Sequence, residues 1–139
     1  MTQARSALIV PAIIAGIIGG IVVDAFLAIA GHRSPLDIWG FVATTVAGPG
    51  ASWIVGFVTH FVISIVWAIL YAYVFAGRLQ NWIVGAIVWG IVVDAAMALL
   101  LAVKLGAPWW GTFSQGLLAH VVFFALPVAL YLSRSARTA

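Results

Sequence analysis

Four apolar runs, each long enough to cross a bilayer as a helix, constrain this chain more than any other feature. They cover roughly residues 7–30, 52–76, 82–103 and 112–132. About 20 apolar residues cross the ~30 Å hydrocarbon core, and lipid offers no water to satisfy an open backbone, so each run is expected to be helical. The sequence therefore predicts an all-α polytopic membrane protein with four transmembrane helices in a single domain, residues 1–139.

The composition agrees with a lipid environment. Of 139 residues, 65% are hydrophobic and 6% are charged, and the mean hydropathy is +1.23. Six Lys/Arg and three acidic residues cannot cover a soluble domain of this size with polar surface. They form no basic cluster of the kind that binds a phosphate backbone, so nucleic acid is not an expected partner. The chain has no Cys, HExxH motif, Gly-rich phosphate loop or Ser-His-Asp spacing, so nothing in it indicates a hydrolytic enzyme.

The basic residues near the span ends divide four to two between the two sides of the membrane. The side with four carries Arg5, Arg78, Arg134 and Arg137, and the side with two carries Arg33 and Lys104. The positive-inside rule assigns the richer side to the cytoplasm. We therefore expect both termini to be cytoplasmic.

The loop between the first two spans, residues 31–51, contains the signals of a helix start. Ser34 is a favourable N-cap, Pro35 suits the first helical position, and Asp37 follows the cap by three residues. We expect a short interfacial helix there, lying on the outer surface.

Three smaller features carry local predictions. Residues 77–81 are expected to form a tight turn between the second and third spans. Pro127 is expected to kink the fourth helix, because proline cannot donate a backbone hydrogen bond. Ser64 is expected to bond to its own helix.

The hexapeptide GIVVDA occurs at residues 20–25 and again at 90–95, and it belongs to a longer internal repeat. An offset of 70 aligns Gly16, Gly20, Asp24 and Ala28 with Ala86, Gly90, Asp94 and Ala98, and an offset of 60 aligns His60 with His120 and Tyr71 with Tyr131. Small residues four apart share one helix face and let helices approach closely in lipid. The pattern predicts a parallel repeat of two helical hairpins, about 7–76 and 82–133, related by a pseudo-two-fold axis along the membrane normal.

Each predicted span carries one Asp or His: Asp24, His60, Asp94 and His120. At a rise of 1.5 Å per residue, all four lie roughly 9–14 Å below the outer boundary. An Asp at the centre of a membrane helix costs ~2.5–3.5 kcal/mol on the insertion scale. Each acid is therefore expected to face inward toward a His, so that the four residues form one polar layer.

Several functions are compatible with such a layer. Two carboxylates and two imidazoles can bind a divalent metal such as Zn, Fe or Mn. The same groups can relay or sense protons, since His titrates near neutral pH. His60 and His120 can also serve as axial ligands of a b-type haem, although two acids at the same depth oppose an apolar porphyrin. The alternative is structural: the pairs specify helix association in a homo-oligomer or in an accessory subunit of a larger membrane complex.

Three stretches carry a family resemblance: HRSPLDIWG after the first span, GFVTHFVISIVWAILYAYVF in the second and GLLAHVVFF in the fourth. They resemble the YagU-like family of bacterial inner-membrane proteins over most of the chain. The most specific parts are the Arg33, Ser34, Pro35 and Asp37 loop and the Thr59-His60 pair. The resemblance implies a location in the bacterial inner membrane and a link to acid tolerance. It brings no catalytic residues to this chain.

Overall fold

The computed structural model describes residues 7–75 and 81–138, and all of the regular structure in these ranges is helical. The elements are α1 (Ile9–Gly31), α2 (Pro35–Ala47), α3 (Trp53–Phe75), α4 (Trp82–Leu105), α5 (Trp109–Leu118), a π-helical segment (Ala119–Ala125) and α6 (Leu126–Thr138). The last three are continuous and form the last span, Trp109–Arg137. Within the described ranges, α1, α3, α4 and the last span are long and apolar enough to cross a membrane, which confirms the predicted fold class.

Two sequence predictions fall on residues that the structure does not describe. The turn predicted at residues 77–81 lies almost entirely outside the described ranges. The predicted orientation depends in part on Arg5 and Arg78, which also lie outside them.

The predicted short helix after the first span is present as α2. The hydroxyl of Ser34 accepts a hydrogen bond from the Asp37 amide at 3.2 Å, and Asp37 Oδ2 accepts from the Ser34 amide at 3.1 Å and from its hydroxyl at 2.8 Å. These hydrogen bonds from Ser34 lower the pKa of the Asp37 carboxyl below its ordinary value. The reciprocal cap explains why the helix begins at Pro35, and Gly48 ends it with a positive φ of 95°.

Each predicted hairpin packs as a unit, α1 against α3 and α4 against the last span. Gly20 of α1 faces Phe61 of α3, and at the equivalent position of the repeat Gly90 of α4 faces Val121. A Cβ on Gly16 or Gly90 would lie 2.5–2.6 Å from a backbone Cα of the partner helix. The small-residue stripe therefore brings the two helices of each hairpin into backbone contact.

The repeat is broken where the hairpins meet each other. On one side α1 packs tightly on the last span, because a Cβ on Gly19 would lie only 2.7 Å from Val128 and 2.9 Å from Phe124. On the other side the residue equivalent to Gly19 is Trp89, whose indole N–H donates to the Trp67 carbonyl at 3.2 Å. The large ring keeps α3 and α4 apart along much of their length.

A kink was expected at Pro127, and a π-helical segment, Ala119–Ala125, lies just before this residue. Proline cannot donate to the carbonyl four residues earlier, and the Leu126 amide instead donates to the Val121 carbonyl five residues earlier. His120 lies in this widened segment.

Candidate functional site

In the first hairpin, Asp24 of α1 faces His60 of α3; these two residues are the first pair. Asp24 Oδ1 lies 3.2 Å from His60 Nε2, at ion-pair distance but without the alignment of a hydrogen bond. Asp24 Oδ2 accepts a hydrogen bond from the indole N–H of Trp39 at 2.9 Å. Only 6% of Asp24 is exposed, so the carboxylate is kept from lipid and has a polar neighbour at each oxygen.

Trp39 is a site residue that sequence reasoning missed. It lies on α2, which packs against α3 where Gly56 makes room, since a Cβ at Gly56 would overlap the Trp39 carbonyl. The rings of Trp53 and Phe57 pack against the Trp39 ring. The change of offset from 70 to 60 means that the first repeat has about ten extra residues between its two spans. α2 lies there, and the second hairpin has no equivalent helix between Leu105 and Trp109. In the sequence, the feature that could have indicated a role for Trp39 is its position in the loop that follows the first span.

In the second hairpin, Asp94 of α4 faces His120 of the last span; these two residues are the second pair. Asp94 Oδ1 lies 2.7 Å from His120 Nδ1, and the Gly116 carbonyl lies 3.1 Å from the same nitrogen. Asp94 is only 1% exposed. A Cβ on Gly116 would overlap Asp94 Oδ1, so glycine at this position makes the contact possible. Sequence reasoning also missed Gly116, whose only signal was its position one turn before His120.

The hydrogen-bond partners assign the imidazole protons. The Gly116 carbonyl and an ionised Asp94 carboxylate can only accept, so His120 Nδ1 carries a proton and Nε2 has the free lone pair when the ring is neutral. For His60 the reason is electrostatic: an ionised Asp24 carboxylate repels a lone pair, so the 3.2 Å approach of Asp24 Oδ1 to His60 Nε2 favours a proton on Nε2 and the lone pair on Nδ1. Each aspartate thus orients its imidazole and leaves one basic nitrogen free.

The two pairs differ at the second carboxylate oxygen. Asp24 Oδ2 is bonded to Trp39, whereas Asp94 Oδ2 is buried and has no hydrogen-bond partner among the described residues. The pairs also lie at different distances from the ends of their helices. The first pair lies seven residues from the ends of α1 and α3 on the α2 side, about 10 Å, and the second lies eleven residues from the corresponding ends of α4 and α5, about 16 Å. Measured from the helix ends, the first pair lies within the 9–14 Å expected for all four residues, and the second pair lies slightly beyond it.

A cavity of about 60 Å³ lies between the pairs. Both imidazoles line it together with Ser64, whereas neither aspartate does. Ser64 was expected to bond to its own helix, but its hydroxyl makes no hydrogen bond within the described residues and faces the cavity region instead. Val42 of α2 also lines the cavity. A water molecule needs roughly 10–15 Å³ of cavity volume and two to four polar partners. By volume, the cavity can therefore hold several waters, and the two imidazoles and the Ser64 hydroxyl are polar groups that they can bind.

The four residues do not form the single metal centre that a shared layer predicted. In residues 7–75 and 81–138, no three His, Cys, Asp or Glu side chains are close enough together to hold a metal ion. The physical reason is that each aspartate is used by its own histidine within one hairpin, and the cavity separates the hairpins. Each pair alone offers fewer protein ligands than the three or four of ordinary zinc sites.

The cavity between the two imidazoles is small for a b-type haem. Both His60 and His120 line the cavity, as a bis-His pair would require, but its volume is about 60 Å³. Sites for small-molecule ligands are usually about 300–1,000 Å³. The separation of α3 and α4 is bridged by Trp67 and Trp89, whose ring centroids lie 5.6 Å apart. The geometry therefore does not support axial ligation of a porphyrin.

The fold and the site together define an integral membrane protein of four helices that contains two intramembrane Asp–His pairs. Comparisons of the chain with protein-family models, with curated proteins and with solved structures gave no match. The two pairs and the cavity between them are therefore the features that indicate a function.

Proposed function

We propose that this protein is a small integral protein of the bacterial inner membrane that takes up and releases protons at its two Asp–His pairs. The observation that carries the proposal is that both imidazoles line one cavity while an aspartate holds each of them from behind. The resemblance to the YagU-like family suggests that this proton uptake serves acid tolerance.

The pairs have the chemistry that reversible protonation needs. A proton that enters the cavity meets the free nitrogen of His60 or His120, and histidine exchanges protons near neutral pH. The resulting imidazolium lies 2.7–3.2 Å from a carboxylate oxygen. Because opposite charges attract strongly in a low-dielectric interior, the charge is compensated where it forms.

The surroundings favour uptake from one side over conduction across the membrane. On the side of the pairs away from α2, the buried Tyr71 hydroxyl donates to the Trp82 carbonyl at 3.4 Å, and the neighbouring Trp89 N–H is bonded to Trp67. These polar groups are already paired, so they do not extend the cavity as a proton path. The distribution of Lys and Arg assigns the α2 side to the periplasm and both termini to the cytoplasm.

The proposal is tested by the histidine protonation states in a lipid environment. The full chain, labelled with ¹⁵N-histidine and reconstituted in nanodiscs, is titrated from about pH 4 to about pH 9, around the ordinary titration range of histidine. A His32→Asn background leaves only the two intramembrane imidazoles. His32 is exposed and has a φ of 49°, a left-handed conformation that asparagine tolerates.

We expect both imidazoles to change protonation state in this range. Asp24→Asn should change the midpoint of His60 and leave His120 unaffected, and Asp94→Asn should do the reverse, because each carboxylate touches one ring. Imidazoles that keep one protonation state throughout would contradict the proposal and leave the pairs a packing role. A midpoint that is the same in the wild type and in both Asn variants would contradict it equally.

A further inference from the structure

An apolar groove runs between α3 and α4 and opens toward the surrounding lipid. Its volume is about 310 Å³, and its walls include Ile63, Val66 and Leu70 of α3 and Ala96 and Leu100 of α4. The α3 residues span seven positions, so the groove extends about 10 Å along the helix. Because both helices cross the membrane, the groove runs in the direction of the lipid chains.

The repeat explains why the groove exists. On the opposite side of the molecule, Phe26 of α1 stacks on Phe123 of the last span with ring centroids 4.0 Å apart. The offsets of 70 and 60 make Ala96 and Ile63 the equivalent residues. Two stacked rings are thus replaced by a methyl group and a branched aliphatic side chain, while Trp89 keeps the helices separated. The space that one hairpin interface fills with phenylalanine is left open in the other.

The groove adjoins the cavity between the two pairs. Ile63, Trp67 and Met97 line both, so the polar cavity lies directly behind the groove that opens to lipid. The cavity contains two imidazoles that each keep a free nitrogen, and the Ser64 hydroxyl, which has no hydrogen-bond partner within the described residues.

We infer that the groove and the cavity together bind a single-chain carboxylic acid in its protonated form, with the carboxyl group in the cavity and the hydrocarbon chain in the groove. The inference deepens the proposed function by naming a ligand for the same cavity, and it rests on the same two imidazoles. The acid reaches the site laterally from the bilayer.

The chemistry of the cavity selects this head group. The free nitrogens of His60 and His120 are acceptors, so the ligand must donate a hydrogen bond, and the carboxyl O–H does so. Its carbonyl oxygen accepts from the Ser64 hydroxyl, which has no other partner within the described residues. With an ionised aspartate and a neutral imidazole each pair carries a charge of −1, so the uncharged protonated acid is favoured over a carboxylate, which would add a further negative charge. A cavity of about 60 Å³ holds a carboxyl group but excludes a ring-sized head.

Binding of ¹³C-carboxyl dodecanoic acid to the full chain in nanodiscs tests the inference at one fixed pH at which both imidazoles are neutral and can accept a hydrogen bond. Ala96→Phe fills the groove with the side chain that the repeat has at the equivalent position, and Ser64→Ala removes the hydroxyl donor. Leu99→Phe is the matched control, because Leu99 lies on the same helix, is 57% exposed and does not line the groove. The methyl ester of the same acid, which has no carboxyl proton, tests the head group.

We expect saturable binding of one acid per chain, at least tenfold weaker in Ala96→Phe, measurably weaker in Ser64→Ala and unchanged in Leu99→Phe. The ester should bind at least tenfold more weakly than the acid. Equal binding by the acid and the ester, or equal effects of Ala96→Phe and Leu99→Phe, would show only general partitioning into lipid and would overturn the inference.

A series of chain lengths on the wild-type protein avoids dependence on any variant that fails to fold. Affinity relative to bilayer partitioning should rise with chain length and then level off once the groove is filled; an affinity that follows partitioning at every length contradicts the inference. Histidine titration in nanodiscs without the acid separates the two proposals. If the imidazoles titrate and no acid binds, only the ligand is wrong; if the acid binds and the imidazoles do not titrate, only the proton function is wrong.

Discussion

Gly116→Ala perturbs the second pair by a single methyl group. A Cβ at this position would overlap Asp94 Oδ1 and lie 3.3 Å from His120 Nδ1, so the carboxylate must leave its present position. Gly111→Ala in the same helix is the matched control, because its Cβ would meet only the Pro108 ring at 3.6 Å, an ordinary contact.

The expected difference in the free energy of unfolding follows from comparing the two variants. Each replaces glycine by alanine in α5, which by itself stabilises a helix by up to about 1 kcal/mol. Only Gly116→Ala also breaks the 2.7 Å contact between Asp94 and His120. A hydrogen bond to a charged group contributes about 1.5–3 kcal/mol in water-soluble proteins, and membrane proteins show smaller values because the separated helices find other partners. We therefore expect Gly116→Ala to be about 1–2 kcal/mol less stable than Gly111→Ala.

Reversible unfolding in mixed micelles, followed by tryptophan fluorescence, gives the two free energies of unfolding. The histidine titration described above gives a second readout, in which Gly116→Ala should alter the His120 signal and leave His60 unchanged. Equal stabilities of the two variants, together with an unaltered His120 signal, would refute the described position of the Asp94 carboxylate.

Three further predictions concern α2. Trp39→Phe removes the indole donor to the first pair and should lower the free energy of unfolding by about 1–3 kcal/mol, the usual effect of leaving a buried acceptor unpaired, as measured by the same unfolding assay. Gly56→Ala should displace α2 and increase hydrogen exchange along it, because the new Cβ would overlap the Trp39 carbonyl, whereas Gly40→Ala meets nothing within 4 Å and should leave exchange unchanged or slower. Because the Asp37 pKa is lowered in the folded chain, the hydrogen bonds of its carboxylate should stabilise the start of α2 fully above the ordinary pKa of 3.8 and be lost only as the pH falls through the lower folded value. Hydrogen exchange of the Ser34 amide, which donates to Asp37 Oδ2, measures the loss of these hydrogen bonds. In Asp37→Asn the amide should have, at every pH, the low protection that the wild type has only at low pH.

Sequence reasoning identified the four titratable residues of the site but not their full set of partners. Asp24, His60, Asp94 and His120 were recognised because ionisable residues are rare in membrane spans and recur at fixed offsets here. Trp39 and the other missed groups have residue types that are common in this chain. Their roles depend on contacts between elements that lie apart in the sequence, such as Gly116 beneath the Asp94 carboxylate.

The sequence by itself determined the four membrane helices, the capped α2 and the occurrence of one Asp or His in every span. These features are local, because a backbone in lipid must satisfy its hydrogen bonds within each helix and a cap is formed by neighbouring residues. Only the tertiary structure decided that the polar residues form two separate pairs on either side of a cavity. That outcome depends on the distance between hairpins, which Gly19 makes short on one side and Trp89 makes long on the other.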